Sequence, residues 1–139
     1  MAEWAFVALG SNLGDRSAHL AFARERLAAL PDTALVAASA IEETAPLGPV
    51  PQGPYLNQMV LLSTELSPER LLEECLEIER AAGRERRVRW GPRTLDLDLV
   101  RYNDLAIAQP DLAVPHPELP RRPFWQRELA ELMPHAESR

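Results

Sequence analysis

Lysine is absent from this 139-residue chain: all 15 of its cations are Arg, set against 21 Asp and Glu. Without Lys there is no Walker A phosphate loop, no kinase-type strand lysine and no Schiff-base nucleophile. Any phosphate bound here must therefore meet guanidinium, backbone N–H or metal. Cysteine is nearly absent as well. The single Cys75 excludes an intrachain disulfide framework and a Cys-rich zinc site, and it implies a reducing, cytoplasmic setting. Long apolar runs are missing too. The first one is strand-length with no basic residues ahead of it, so neither a secretory leader nor a membrane span is expected. The length allows one domain, residues 1–139, with one ordinary core.

The net charge of −6 argues against a nonspecific nucleic-acid binder. The charge is uneven, because Arg84, Arg86, Arg87, Arg89 and Arg93 stand with only Glu85 among them, a local +4 on an acidic body. Such a concentration suits a local anionic ligand better than a long polyanion.

Ala5–Leu9 is a short apolar run closed by Gly10-Ser11-Asn12-Leu13-Gly14, which predicts a buried strand and a tight turn. Asp15 then caps a helix over Arg16–Leu30, with Leu20, Ala23, Leu27 and Leu30 at helical spacing and Pro31 as its stop. A second strand is expected over Thr33–Ile41 and a third over Gln58–Ser63. Between them, residues 42–54 hold four Pro and two Gly and read as an irregular loop long enough to be functional. Ser67-Pro68-Glu69 starts a second helix that buries Leu71, Leu72, Cys75, Leu76 and Ile78 and ends at Gly83. Leu95–Tyr102 is the fourth strand, and Pro123–Leu132 predicts a last helix. The order β-α-β-β-α-β predicts an α+β, ferredoxin-like sandwich with an antiparallel sheet and a C-terminal extension.

Leu95-Asp96-Leu97-Asp98-Leu99 carries the most chemistry. Residues two apart on a strand share a face about 6.6 Å apart, so Asp96 and Asp98 project together while the leucines turn inward. Paired carboxylates on a rigid strand suit Mg²⁺ with phosphate oxygens completing its shell. A solvated strand face is the blander reading of an isolated D-x-D. The Arg-rich segment running through Trp90-Gly91-Pro92-Arg93-Thr94 into this strand favours the metal–phosphate reading, since that ligand needs both cations and carboxylates.

These residues resemble a known family. Trp90 through Asp98, with Ala8-Leu9-Gly10-Ser11-Asn12-Leu13-Gly14-Asp15, Pro46-Leu47-Gly48-Pro49, Tyr55-Leu56-Asn57 and Val114-Pro115-His116-Pro117 in order along the chain, resemble the 6-hydroxymethyl-7,8-dihydropterin pyrophosphokinases of folate biosynthesis. The resemblance implies transfer of pyrophosphate from ATP, the co-substrate, to the pterin hydroxymethyl group with release of AMP. It implies two Mg²⁺ on Asp96 and Asp98, and a mobile loop bearing Arg84, Arg86, Trp90 and Arg93 that closes over ATP with Gly83 as hinge. Arg84, Arg86, Arg93, Asp96 and Asp98 are the implied catalytic set. Glu79, Arg84, Arg86, Trp90, Leu99, Leu112, His116 and Arg122 fall to ATP. Gly10, Thr44, Ala45, Leu47, Tyr55, Asn57, Trp90, Arg93 and Phe124 fall to the pterin, with Tyr55 and Phe124 stacking on its two faces and Asn57 meeting its edge.

Taken without the resemblance, Tyr55 and Phe124 read as core residues, Glu79 as an exposed helical carboxylate and His116 as a structural histidine. The chain departs from the family at Ala45, where a second Pro is common, at Leu76 and at Asp111. The implied partners are small molecules only, without nucleic acid or membrane, and the implied state is a monomer. A ferredoxin-like RNA-binding module and a metal-dependent phosphohydrolase on Asp96 and Asp98 are the rival readings.

Overall fold

The computed structural model describes residues 2–46, 52–83 and 94–137. The elements in chain order are β1 (Glu3–Ser11), α1 (Arg16–Ala28), β2 (Thr33–Ala38), β3 (Glu42–Thr44), β4 (Tyr55–Thr64), α2 (Pro68–Ala81), β5 (Asp96–Tyr102), β6 (Ile107–Ala108), β7 (Ala113–Val114), a 3₁₀ turn at Leu119–Arg121 and α3 (Pro123–Glu137). The sheet runs β2-β4-β1-β5, with β3 joining β4 as well, and every pairing is antiparallel. This is the expected split β-α-β-β-α-β order. The short strands β6 and β7 pair separately.

The caps are where side-chain chemistry puts them. The Asp15 carboxylate accepts from the Ala18 N–H at 3.1 Å and the Ser67 hydroxyl from the Arg70 N–H at 3.1 Å, each satisfying a helix N–H that has no partner within the helix. Gly83 follows α2 with φ +82°, a conformation that costs glycine no Cβ clash.

The two sheet faces carry separate apolar clusters. Val7, Leu9, Val60, Leu62, Leu97 and Leu99 pack beneath α1 and α2, meeting Leu20, Leu27, Leu71 and Ile78. Phe6, Ala8, Met59, Leu61 and Val100 pack on the opposite side against Trp125 and Leu132 of α3. The C-terminal extension is thus what covers the second face of the sheet. A register shift between Phe6 and Val7 leaves Val100 without a partner on β1. That extra residue lets the consecutive Leu99 and Val100 both be buried, one on each face.

Several expectations are corrected. Residues 42–44 are a strand rather than loop, since the prolines begin only at Pro46 and leave these three residues free to pair with β4. β2 stops at Ala38 instead of Ile41, because Ser39 leaves the ladder: its N–H donates to the Met59 carbonyl at 2.8 Å while its hydroxyl accepts the Met59 N–H at 2.9 Å. α1 ends at Ala28, two residues short of Leu30, whereas α3 runs on to Glu137. β4 is longer than the Gln58–Ser63 run. On α2, Leu71, Cys75 and Ile78 face inward, but Leu76 lies on the outer side and is exposed, and Leu72 is only half-buried. Burial, and then the nearby Glu79 carboxylate, push the Cys75 thiol up, so it packs as an inert apolar group. Among the described residues no helix is long and apolar enough to cross a membrane.

Candidate active site

Strand alternation on β5 sets the first part of the site. Asp96 and Asp98 are half-exposed on one face, while Leu97 and Leu99 are buried on the other. Among the described residues β5 pairs with β1 on one side only, so N–H groups on its outer edge need a partner from elsewhere. For Leu97, between the two Asp, that partner is the Glu79 carboxylate of α2, which accepts its N–H at 2.8 Å. Glu79 is therefore not an exposed helical carboxylate: it is 5% exposed and ties the end of α2 to the strand that presents both Asp.

His116 reaches the same place from the segment after β7. Its N–H donates to the Val100 carbonyl at 2.8 Å, which docks the segment on β5 at the irregularity. Its Nδ1 accepts the Glu118 N–H at 3.0 Å, so the ring proton of the neutral imidazole sits on Nε2, 3.6 Å from Asp98 Oδ1. The ring stands edge-on to Trp125 with centroids 5.0 Å apart. The Arg122 guanidinium lies 4.4 Å from the centroid of the same indole, a contact worth about 0.5–2 kcal/mol. One buried tryptophan thus supports both His116 and Arg122. Trp125 is not among the residues expected at the site, although its place three residues after Arg122 is a signal for it.

Beside this group lies a cleft of about 280 Å³ whose walls include Leu72, Asp98, Leu99, Asp111, Leu112 and His116. It gathers the residues expected at the nucleotide on β5 and after β6. Leu99 and Leu112 offer it little surface, being 4% and 5% exposed. Asp111 lines it and exposed Leu76 does not.

The second part of the site is a row across the sheet. Gly10 of β1 pairs with Asp96 on one side and Asn57 on the other, and Asn57 pairs with Glu42. Cross-strand partners share a face, so the carboxylate, the bare glycine and the amide stand side by side. A Cβ on Gly10 would lie 3.5 Å from both Asn57 Oδ1 and Tyr55 Cδ1, so the glycine leaves a flat patch bordered by these two side chains. The Asn57 amide N–H donates to the Thr44 hydroxyl at 2.5 Å, which fixes the amide with Oδ1 toward Gly10. Tyr55 pairs with Thr44 and is half-buried, and Ala45 is exposed just beyond β3. Phe124 opens α3, half-buried against the second cluster and edge-on to Trp125 at 6.4 Å. Neither Tyr55 nor Phe124 is a fully buried core residue. Leu47, Arg84, Arg86, Trp90 and Arg93 lie outside the described residues.

The donor set fits Mg²⁺ held jointly with a phosphate ligand. Two hard carboxylates project from one strand face, and among the described residues no cluster of three His, Cys, Asp or Glu forms a self-sufficient metal cage.

A family model described as 7,8-dihydro-6-hydroxymethylpterin-pyrophosphokinase matches residues 6–134, from β1 to α3. The chain belongs to this family. Similar proteins named 2-amino-4-hydroxy-6-hydroxymethyldihydropteridine pyrophosphokinase include that of Methylorubrum extorquens, 45% identical over 130 residues, which cover 94% of this chain and 82% of that one. The Bacillus subtilis protein of the same name is 43% identical over 140 residues, covering 99% and 82%. That of Pseudomonas aeruginosa is 40% identical over 134 residues, covering 96% and 83%. Family membership makes the chain a pyrophosphokinase, and its mixed α+β architecture places both parts of the site on one sheet.

Proposed function

We propose that this chain, acting as a single domain, transfers the pyrophosphoryl group of ATP to the hydroxymethyl oxygen of 6-hydroxymethyl-7,8-dihydropterin, giving the pterin diphosphate and AMP. The observation that carries the reading is the row Asp96–Gly10–Asn57, which sets a carboxylate beside a flat, side-chain-free patch edged by an oriented amide. A flat heterocycle seated on Gly10, between Tyr55 and Phe124 and with its edge at Asn57, has its substituent directed along the row toward Asp96. Two Mg²⁺ held by Asp96 and Asp98 would neutralise charge on the triphosphate and favour attack at the β-phosphorus.

The protein's own groups do the rest. His116 presents an Nε2 donor beside Asp98, and Arg122 is held on Trp125 as a fixed cation for the phosphates. Glu79 keeps the strand between the two Asp in place, and the cleft bounded by Leu72, Leu99 and Leu112 takes the apolar part of the nucleotide. Arg84, Arg86 and Arg93 supply further positive charge at the transferring group, and Trp90 closes the site with Arg93. The substrates are small molecules and the enzyme works as a cytoplasmic monomer.

The test is direct. The protein incubated with Mg-ATP and the dihydropterin should form AMP and pterin diphosphate in equal amounts. Release of ADP or phosphate without any need for pterin would make it a hydrolase. Salt-dependent RNA affinity without turnover would make it a binding module.

A further inference from the structure

α3 is fastened to the sheet by an unusual polar seam. The Glu131 carboxylate accepts the Ala40 N–H at 3.0 Å, and Arg127 pairs with Glu42 Oε2 at 3.1 Å. Next to that pair, three carboxyl oxygens are buried with no hydrogen-bond donor among the described residues: Oε1 of Glu42 and both oxygens of Glu128. Glu128 is 3% exposed, and the Glu42 side chain adjoins its carboxyl group. Two ionised carboxylates cannot stay in contact and out of water without a donor, because burial and like charge both penalise the charged form. A proton shared between Glu42 Oε1 and one Glu128 oxygen pairs two of the three and removes the clash of like charges.

The seam also has a direction. Glu131 meets residue 40, and Arg127 and Glu128 meet residue 42, so α3 runs antiparallel to β3. Four helical residues rise about 6 Å and two strand residues about 6.6 Å, so the turn of Phe124 continues along the sheet in the direction of Thr44. Phe124 and Glu128 are one turn apart on one helix face. Glu42 and Asn57 are cross-strand partners on one sheet face.

We propose that Glu42 and Glu128 are a positioning pair: one shared proton joins their carboxyl groups, and this bond holds the Phe124 end of α3 at a fixed distance from Asn57, the cross-strand partner of Glu42, so that the pocket between them keeps its width for the flat substrate. The inference rests on the pterin reading of that pocket. Among the described residues, the charged groups facing Glu128 are Glu42 of β3 and Arg127 and Glu131 of α3. β2 and β4 contain no charged residue. Loss of the proton to solvent leaves two adjacent anions, and Arg127 is already engaged with the other oxygen of Glu42. The seam then loosens at the turn next to Phe124.

KM for pterin and KM for ATP, measured from pH 7.5 to 10 in the wild type, in Glu128→Gln and in Glu42→Gln, test this. Burial and the Glu42 contact push the Glu128 carboxyl up to about 9, so the protonated fraction falls about tenfold between pH 8 and 10 and the pterin KM rises by about the same factor. The ATP KM should not follow it. A Gln at position 128 donates to Glu42 at any pH, and one at position 42 donates to an ionised Glu128. Both variants should match the wild type at pH 7.5 and lack the rise, and if one fails to fold the other carries the comparison. An equal rise in both variants, or a parallel rise in the ATP KM, overturns the pair. Should neither variant fold, a wild type without a pterin-specific rise still overturns the pair. A wild type with no pterin turnover at any pH refutes the pocket assignment instead.

Discussion

Replacing Gly10 with Ala separates folding from binding. Gly10 lies in regular pairing with both neighbouring strands, and the added methyl would sit 3.5 Å from Asn57 Oδ1 and Tyr55 Cδ1 and 3.9 Å from the Leu56 carbonyl, all ordinary van der Waals distances. No backbone strain opposes it, so the loss of glycine's freedom in the unfolded chain should stabilise the protein by about 0.4–1 kcal/mol, a rise of a few degrees in Tm for a chain of this size. The same methyl stands about 1.5 Å above the sheet, where the proposed ring would rest directly on the glycine. Overfilling a close-fitting site costs about 1–3 kcal/mol, equivalent to a pterin affinity about 5- to 150-fold weaker. Thermal unfolding of the free protein, with separate titrations of pterin and ATP, checks both halves. Unchanged pterin affinity would refute the flat-patch argument, as would a loss of several degrees in Tm.

Asp96→Asn and Asp98→Asn should abolish AMP formation while changing stability by no more than about 0.5 kcal/mol, since both carboxylates are half-exposed; activity in either variant sinks the metal assignment. Arg84→Ala and Arg86→Ala should each slow turnover by about 10- to 150-fold, the equivalent of one charge-assisted contact of about 1.5–3 kcal/mol, with pterin affinity unchanged; a collapse of pterin binding would show that the two subsites are wrongly partitioned. Burial, and then the Glu42 contact, push the Glu128 carboxyl from its ordinary 4.5 up to about 9 in the fold, so the folded state holds the extra proton and stability falls as pH rises between those values, by at most about 1.4 kcal/mol per pH unit. Denaturant titrations should show Glu128→Gln gaining on the wild type across that window and the difference levelling above pH 9; parallel curves would mean that Glu128 is ionised in the fold.

What could be read along the chain was whatever repeats within a single element. The alternation at Leu95–Leu99 placed Asp96 and Asp98 on one face because a strand's period is two, and the inward positions of α1 followed from a period of 3.6. What could not be read depends on which strand or helix lies alongside. Gly10 and Asn57 are far apart in sequence, and only the register of β1 on β4 makes them neighbours. β3 has three residues, too few for any period to show. Glu79 gave no sign that its carboxylate would be buried, because the demand for it comes from the Leu97 N–H on the open edge of β5. Glu128 is the sharpest case. Along the chain it is only an acid between Arg127 and Glu131 in the last helix, and Glu42 is the first residue of the proline-rich stretch 42–54. Placed in contact, each removes water from the other, and two ordinary acids become a group that must hold a proton. That property belongs to neither residue, so it cannot be found by reading either one, and a substitution at one position has to be judged by what it leaves at the other.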